Sequence, residues 1–299
     1  MKNSLLFIYL MFFALPCWAS ELQNAINKFF PNQKKIYGVK IIATEITPQR
    51  DIEKAAIILK QWLDNNGDEK PDNQLVVDEL IKNNAILAMG KTENDLENSF
   101  DNLIDILEEK NVDVEDFEGS LIGLIADEPN IAYLEEILHL VTQVGYANAY
   151  PEIFGEFKGS KISKAMDIAR GGFFKITPKI YPENSWYHYY DKSCDYSCMI
   201  TEYFYWSLTS LLGAQINRYD EISDEWELNT PIKMERDKLI MELLENEKYQ
   251  INGKEIFFNF EKGTILSNHA VTVLFPNWQI YGGKIEIYNS ENSEKNLLF

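Results

Sequence analysis

One stretch limits the possible folds of this chain more than any other: Met199-Ile200-Thr201-Glu202-Tyr203-Phe204-Tyr205-Trp206-Ser207-Leu208, with a single charge, at Glu202. Wound as a helix it is apolar nearly all round, and such a helix belongs inside a large core rather than on a surface. A carboxylate carried into that core costs several kcal/mol unless it is paired, protonated or bound to a metal. The sequence offers Arg170 or Lys175 as ion-pair partners, tyrosines as hydrogen-bond partners, and a metal as the third way out. There is material for such a core, since 45% of the 299 residues are hydrophobic and 13% aromatic. No Pro/Ser/Gly-rich linker divides the chain, no internal repeat shows, and only the tail from Asn289 to Lys295 is uniformly polar.

Periodicity predicts an α+β fold, helix-rich and mixed, with short buried strands and a β-rich C-terminal part. A β-like run covers Tyr37 to Thr44. Helices are expected at Asp51 to Leu63, Gln74 to Lys82 and Glu93 to Glu109. Further helices are expected at Ile131 to Val144, capped by Asn130, and at Ser160 to Ala169, Cys198 to Gln215 and Met234 to Glu245. Short strands are expected at Ala85 to Met89 and Leu121 to Ala126. Asn252-Gly253 signals a hairpin before strands at Glu255 to Phe260, Ala270 to Phe275 and Lys284 to Tyr288. These last make a possible β subdomain over about 250–290 of a single mature domain, 20–299.

Residues 1–19 read as a signal peptide: Lys2, an apolar run from Leu5 to Leu15, Pro16, and a small-residue ending at Ala19. The run is too short for a bilayer span, and nothing later replaces it. The expected product is a secreted or periplasmic protein with no membrane span after signal cleavage. Its charge, −19 before cleavage and one unit more negative without Lys2, argues against nucleic acid and against an anionic membrane surface as partners. Beyond Cys17 only Cys194 and Cys198 remain. In an oxidising compartment they read as a disulfide pinning the start of the following helix, while zinc through the two sulfurs would require two further ligands.

Between the second and third elements, Asp64-Asn65-Asn66-Gly67-Asp68-Glu69-Lys70-Pro71-Asp72 sets side-chain oxygens at Asp64, Asn66, Asp68 and Asp72. Alternate oxygens suit calcium, which takes six to eight of them. The segment resembles the calcium loops of EF-hand and dockerin-like modules. It departs from them at Glu69, where a glycine is expected, and at Leu75, where an EF-hand has its bidentate Glu. The same residues also suit an ordinary solvated turn.

Glu135-Glu136-Ile137-Leu138-His139 resembles the zincin His-Glu-x-x-His helix with its first histidine replaced by Glu135. The resemblance makes Glu136 the general base that activates water, and sets Glu135 and His139, one turn apart, on a metal. In glutamate-type zincins the third ligand is a Glu on a later helix, which matches Glu202. Without that resemblance, Glu135 and His139 are an i,i+4 pair flanking the Ile131, Leu134, Leu138 and Val141 face of an amphipathic helix. His188, among aromatics, is a further ligand, a substrate contact or a packed surface residue. Gly145 reads as the stop of the helix.

The acidic loop, the ExxH helix and the Cys-Asp-Tyr-x-Cys…Glu-Tyr helix in this order also resemble a family of uncharacterised secreted proteins, over most of the mature chain. Together these readings predict an exported metal-dependent hydrolase of the peptidase type using zinc. The alternative is a non-catalytic secreted or periplasmic binding protein, stabilised by calcium and a disulfide, that takes a peptide, protein or glycan ligand. No Gly-x-Ser-x-Gly elbow, Walker loop or dinucleotide fingerprint is present, which argues against serine hydrolysis and nucleotide chemistry.

Overall fold

A computed structural model describes residues 15–65, 67–110, 120–128 and 130–251, together with the short segments 278–281, 284–288 and 295–297; for 15–21, 130 and these last segments only the backbone is considered. The fold is mixed, dominated by helices around one small sheet. Strands β1 (Asn32–Ile36), β2 (Val39–Ala43), β3 (Ile86–Gly90) and β4 (Leu121–Ile125) lie side by side in chain order. β1 and β2 form an antiparallel hairpin, and β2–β3 and β3–β4 pair in parallel. Tyr37 (φ 50°) and Gly38 (φ 94°) make the hairpin turn, both in the left-handed region that a two-residue turn of matching twist needs. Tyr37, an unusual residue there, is held by its hydroxyl, which donates to Asp64 Oδ2 at 2.6 Å.

Parallel pairing requires crossovers. Helices α2 (Gln49–Leu63) and α3 (Gln74–Lys82) make the first, and α4 (Glu93–Glu109) the second. Asn73 and Thr92 cap α3 and α4 by accepting from Val76 N–H and Asp95 N–H. The two-residue period of the strands then builds two cores. Val39, Ile41, Ala43, Leu87 and Met89 face the main core with α2 and α3. Ile42, Ile86 and Ala88 face a smaller one, closed by Ile26 and Phe30 at the end of α1 (Leu15–Phe29) and by Leu96, Leu103 and Leu107 of α4.

The helical part follows, with α5 (Asn130–His139), α6 (Lys161–Ala169), α7 (Tyr196–Leu211) and α8 (Lys238–Leu244). As its composition demands, α7 is buried at every residue from Met199 to Leu211. Helices α5 and α6 and the turn Pro231–Met234 pack around it. Among the described residues no helix is long and apolar enough to cross a membrane.

Several expected boundaries shift for local reasons. The first β-like run starts later, at Val39, because Tyr37 and Gly38 make the turn, and the strand Asn32–Ile36 before it was not expected. The expected helix from Met234 to Glu245 breaks at Asp237, whose carboxylate accepts from Ile240 N–H and starts α8. Helix α7 begins earlier, with Asp195 accepting from Cys198 N–H at 3.0 Å. The strands expected at Glu255 to Phe260 and Ala270 to Phe275 lie outside the described residues. Nearby, Trp278–Tyr281, Lys284–Tyr288 and Lys295–Leu297 pair antiparallel among themselves. Asn130 begins α5, though its capping side chain is likewise outside the described residues.

Gly145 is not a helix stop. Helix α5 runs on through a π-helical segment, Leu140–Tyr146, into Ala147–Ala149. Gly145 is buried where α3 packs on that segment, and a Cβ there would stand 2.7 Å from Val76 Cγ1 and 3.2 Å from Leu80 Cγ. The glycine serves close helix approach, which a chain-local reading has no means of seeing. Overpacked cores lose roughly 1–3 kcal/mol, so Gly145→Val should lower the free energy of unfolding by about 2 kcal/mol in urea denaturation. An unchanged midpoint would contradict this packing.

Candidate metal centre

His139 is the last residue of α5 before the wide π turn. Thr142 Oγ1 donates back into this turn, to Leu138 O at 3.0 Å and His139 O at 3.3 Å. Such π turns recur at functional sites because they re-aim the side chains beside them. Here the imidazole is turned onto the middle of α7, where its ring meets Tyr205 edge-on with centroids 5.8 Å apart. One turn before Tyr205, Glu202 faces the same ring.

Glu135, His139 and Glu202 each offer a ligand atom, and the three atoms lie within 4.8 Å of one another. His139 is 7% exposed and Glu202 8%. His139 Nε2 and Glu202 Oε2 are 3.7 Å apart, and among the described residues neither has a hydrogen-bond partner although both atoms are buried. A hydrogen-bonded ion pair would close to about 2.7–2.9 Å. Two ligands on a tetrahedral zinc, each 2.0–2.1 Å from it, stand roughly 3.3–3.4 Å apart. The observed spacing is nearer the second. On the other edge of the ring, Glu136 Oε2 is 3.6 Å from Nδ1, and Glu136 is partly open to solvent.

Burial pushes the Glu202 carboxyl up to about 7, with the His139 charge opposing and Glu135, Glu136 and Glu225 adding to the rise. Burial works the other way on His139, but the close Glu136 carboxylate and the charges of Glu202 and Glu135 outweigh it, raising the imidazole to about 9. Glu135 is also pushed up, chiefly by burial, while His139 and the Tyr205 hydroxyl pull it down. Three carboxylates around one imidazole thus favour an added positive charge, which a proton supplies when no cation does.

One neighbour, Glu156, escaped the sequence reading. Glu156 follows the short helical turn Pro151–Phe154 and accepts from Thr201 Oγ1, which in turn accepts from Gln143 Nε2 at 3.1 Å. The chain ties the π segment to α7 beside the cluster. Burial raises Glu156 to about 7, against the pull of its Thr201 bond. Nothing periodic marks Glu156 in the sequence, whereas Tyr205, at i+3 from Glu202, was legible from helical spacing.

The other candidates fall elsewhere. Arg170 and Lys175 are not partners of Glu202: the Arg170 guanidinium is buried and donates to Phe174 O at 3.0 Å, and Lys175 is exposed. His188 Nε2 is 2.8 Å from Ser185 Oγ and does not join the Glu135, His139 and Glu202 group. The sulfurs of Cys194 and Cys198 are at disulfide distance, the Cα atoms 5.3 Å apart. In the acidic loop, Asp64 accepts from Asp68 N–H and Glu69 N–H, Asp68 from Lys70 N–H, and Asp72 from Asn65 N–H. Asn66 lies outside the described residues. Comparison with protein families, curated proteins and solved structures gave no match.

A raised imidazole has a consequence for stability. In chelator-stripped protein the folded state holds the His139 proton more tightly than the unfolded chain, whose pKa is 6.5. Its contribution is complete below pH 6.5 and is lost as pH rises through about 9. Chemical denaturation of metal-free wild type and His139→Gln across this window should show the stability gap narrowing as pH rises. A gap independent of pH would contradict the charge environment described.

Proposed function

We propose that the chain is an exported metal-dependent hydrolase of the peptidase type, in which Glu135, His139 and Glu202 hold one divalent transition metal ion, zinc by donor chemistry. The observation that carries this reading is the buried, unpartnered pair of His139 Nε2 and Glu202 Oε2, 3.7 Å apart. A buried polar atom left without a partner costs about 1–3 kcal/mol, and a shared cation removes that cost for both. Three protein ligands also leave a coordination position open, as catalytic zinc sites do. When bound, the ion supplies Lewis acidity toward a carbonyl and lowers the pKa of water at the open position.

The remaining work falls to the chain's own groups. Glu136, beside the cluster and partly open to solvent, takes the proton from the attacking water. At rest it lies 3.6 Å from His139 Nδ1, where it keeps Nε2 free of its proton and the ring aimed at Glu202, and it leaves that position to reach the water. Tyr205, packed against the imidazole, favours the charged form of Glu135 against the burial that pushes its carboxyl up. The disulfide and the Asp195 cap fix the start of α7 and with it the depth of Glu202.

Zinc measured by plasma mass spectrometry in protein purified without chelators should be near one per chain, and should be lost in Glu202→Gln and His139→Gln. Glu136→Gln should keep the zinc while losing at least about 100-fold in kcat on any peptide the wild type cleaves. Zinc-free wild type, with calcium alone lost in Asp68→Ala, would favour the calcium-stabilised binding protein instead.

A further inference from the structure

The chain is strongly acidic, yet one surface inverts that balance. Between Phe157 and Ile180 there are six cations against the single carboxylate Asp167, in a chain of net charge −19. Five of the cations, Lys158, Lys161, Lys164, Lys175 and Lys179, are exposed. Asp167 is partly buried and accepts from Tyr196 Oη at 3.1 Å. Large apolar side chains project among the lysines: Phe157 is 46% exposed, Ile168 55%, Phe173 44%, Ile176 75% and Ile180 83%. The surface is continuous across its two elements, because Lys158 Nζ sits 3.6 Å from the centre of the Phe173 ring.

The loop that carries these residues is held from within. Arg170 donates to Phe174 O, and Tyr181 Oη donates to Tyr189 O at 2.6 Å. Thr177 Oγ1 donates to Asp191 O at 3.0 Å. The apolar tips therefore stand out from an anchored loop, and burying them in the loop itself would require breaking these bonds.

From this surface we infer that the protein docks on a bilayer carrying anionic phospholipid, with Ile176 and Ile180 entering the headgroup boundary and the lysines meeting lipid phosphates. Two demands have to be met together, negative charge and an apolar phase at the same place, and an anionic bilayer interface supplies both. The acidic exposed face of α4 on a second copy would meet the charge demand only, since its outward positions carry Glu93, Glu97, Asp101, Asp105, Glu108 and Glu109 and no large apolar residue. The net negative charge of the rest of the chain does not cancel the attraction at contact, because exposed charges beyond about 8 Å are screened at physiological ionic strength.

The test is vesicle flotation of the full chain, using phosphatidylglycerol mixed with phosphatidylcholine against phosphatidylcholine alone. Wild type should float with the anionic vesicles, more weakly as salt rises. Ile176→Ser/Ile180→Ser and Lys175→Glu/Lys179→Glu should each reduce the bound fraction at least tenfold without moving the thermal midpoint. Three results would overturn the inference: no binding to anionic vesicles, binding equal on both vesicle types, or binding that both variants retain, as an anchor at the apolar Leu5 to Leu15 run would give. Concentration-dependent dimerisation of wild type abolished by the same substitutions, without lipid binding, would assign the surface to a second copy instead.

Discussion

The placement of Glu202 governs much of this structure. A helix as apolar as α7 forms the centre of the core for reasons of burial alone, and it carries its one carboxylate in with it. Each fully buried large apolar side chain contributes roughly 1.5–3 kcal/mol. Some thirteen consecutive buried residues can therefore offset the several kcal/mol that an uncompensated charge costs. What remains is how the carboxylate is satisfied. The π turn after His139 is the fold's answer, since it brings an imidazole from α5 opposite Glu202 without bringing it close enough for a hydrogen bond.

Around that contact the two halves of the molecule have different tasks. The sheet and its crossover helices give α5 a rigid base: Tyr133 Oη donates to Ala126 O at 3.1 Å, just beyond β4. The helical half supplies α7, whose start is fixed by Asp195 and the disulfide and whose flanks are packed by α6 and the Pro231–Met234 turn. His139 and Glu202 thus sit on separately anchored elements, so their spacing is set by packing and does not depend on their mutual attraction. A site built this way keeps its geometry whether a proton or a cation neutralises it.

Much of the helical pattern was legible. Helices α3 and α4 run over the residues their periodicity marks, Gln74–Lys82 and Glu93–Glu109, because each has a capping side chain and a clear apolar stripe. Glu202 announced itself as the one charge in an apolar helix, and the i,i+4 spacing of Glu135 and His139 put them on one face. The illegible features arise from contacts between residues distant in sequence. Gly145 reads as a stop unless α3 is known to press on it. Glu156 carries no periodic mark, and its hydrogen bond to Thr201 joins it to α7 beside the cluster. The basic, apolar surface from Phe157 to Ile180 was hidden by the acidic total, which averages over a chain whose charges are unevenly placed.

X-ray absorption at the zinc edge of zinc-loaded protein tests the metal centre most directly, because it reports ligand type without a known substrate. One imidazole nitrogen with carboxylate oxygens at about 2.0–2.2 Å, and no sulfur, is the predicted first shell. Sulfur at about 2.3 Å would move the metal to the cysteine pair, and zinc that washes out on dialysis would return His139 and Glu202 to a buried pair with only a proton between them.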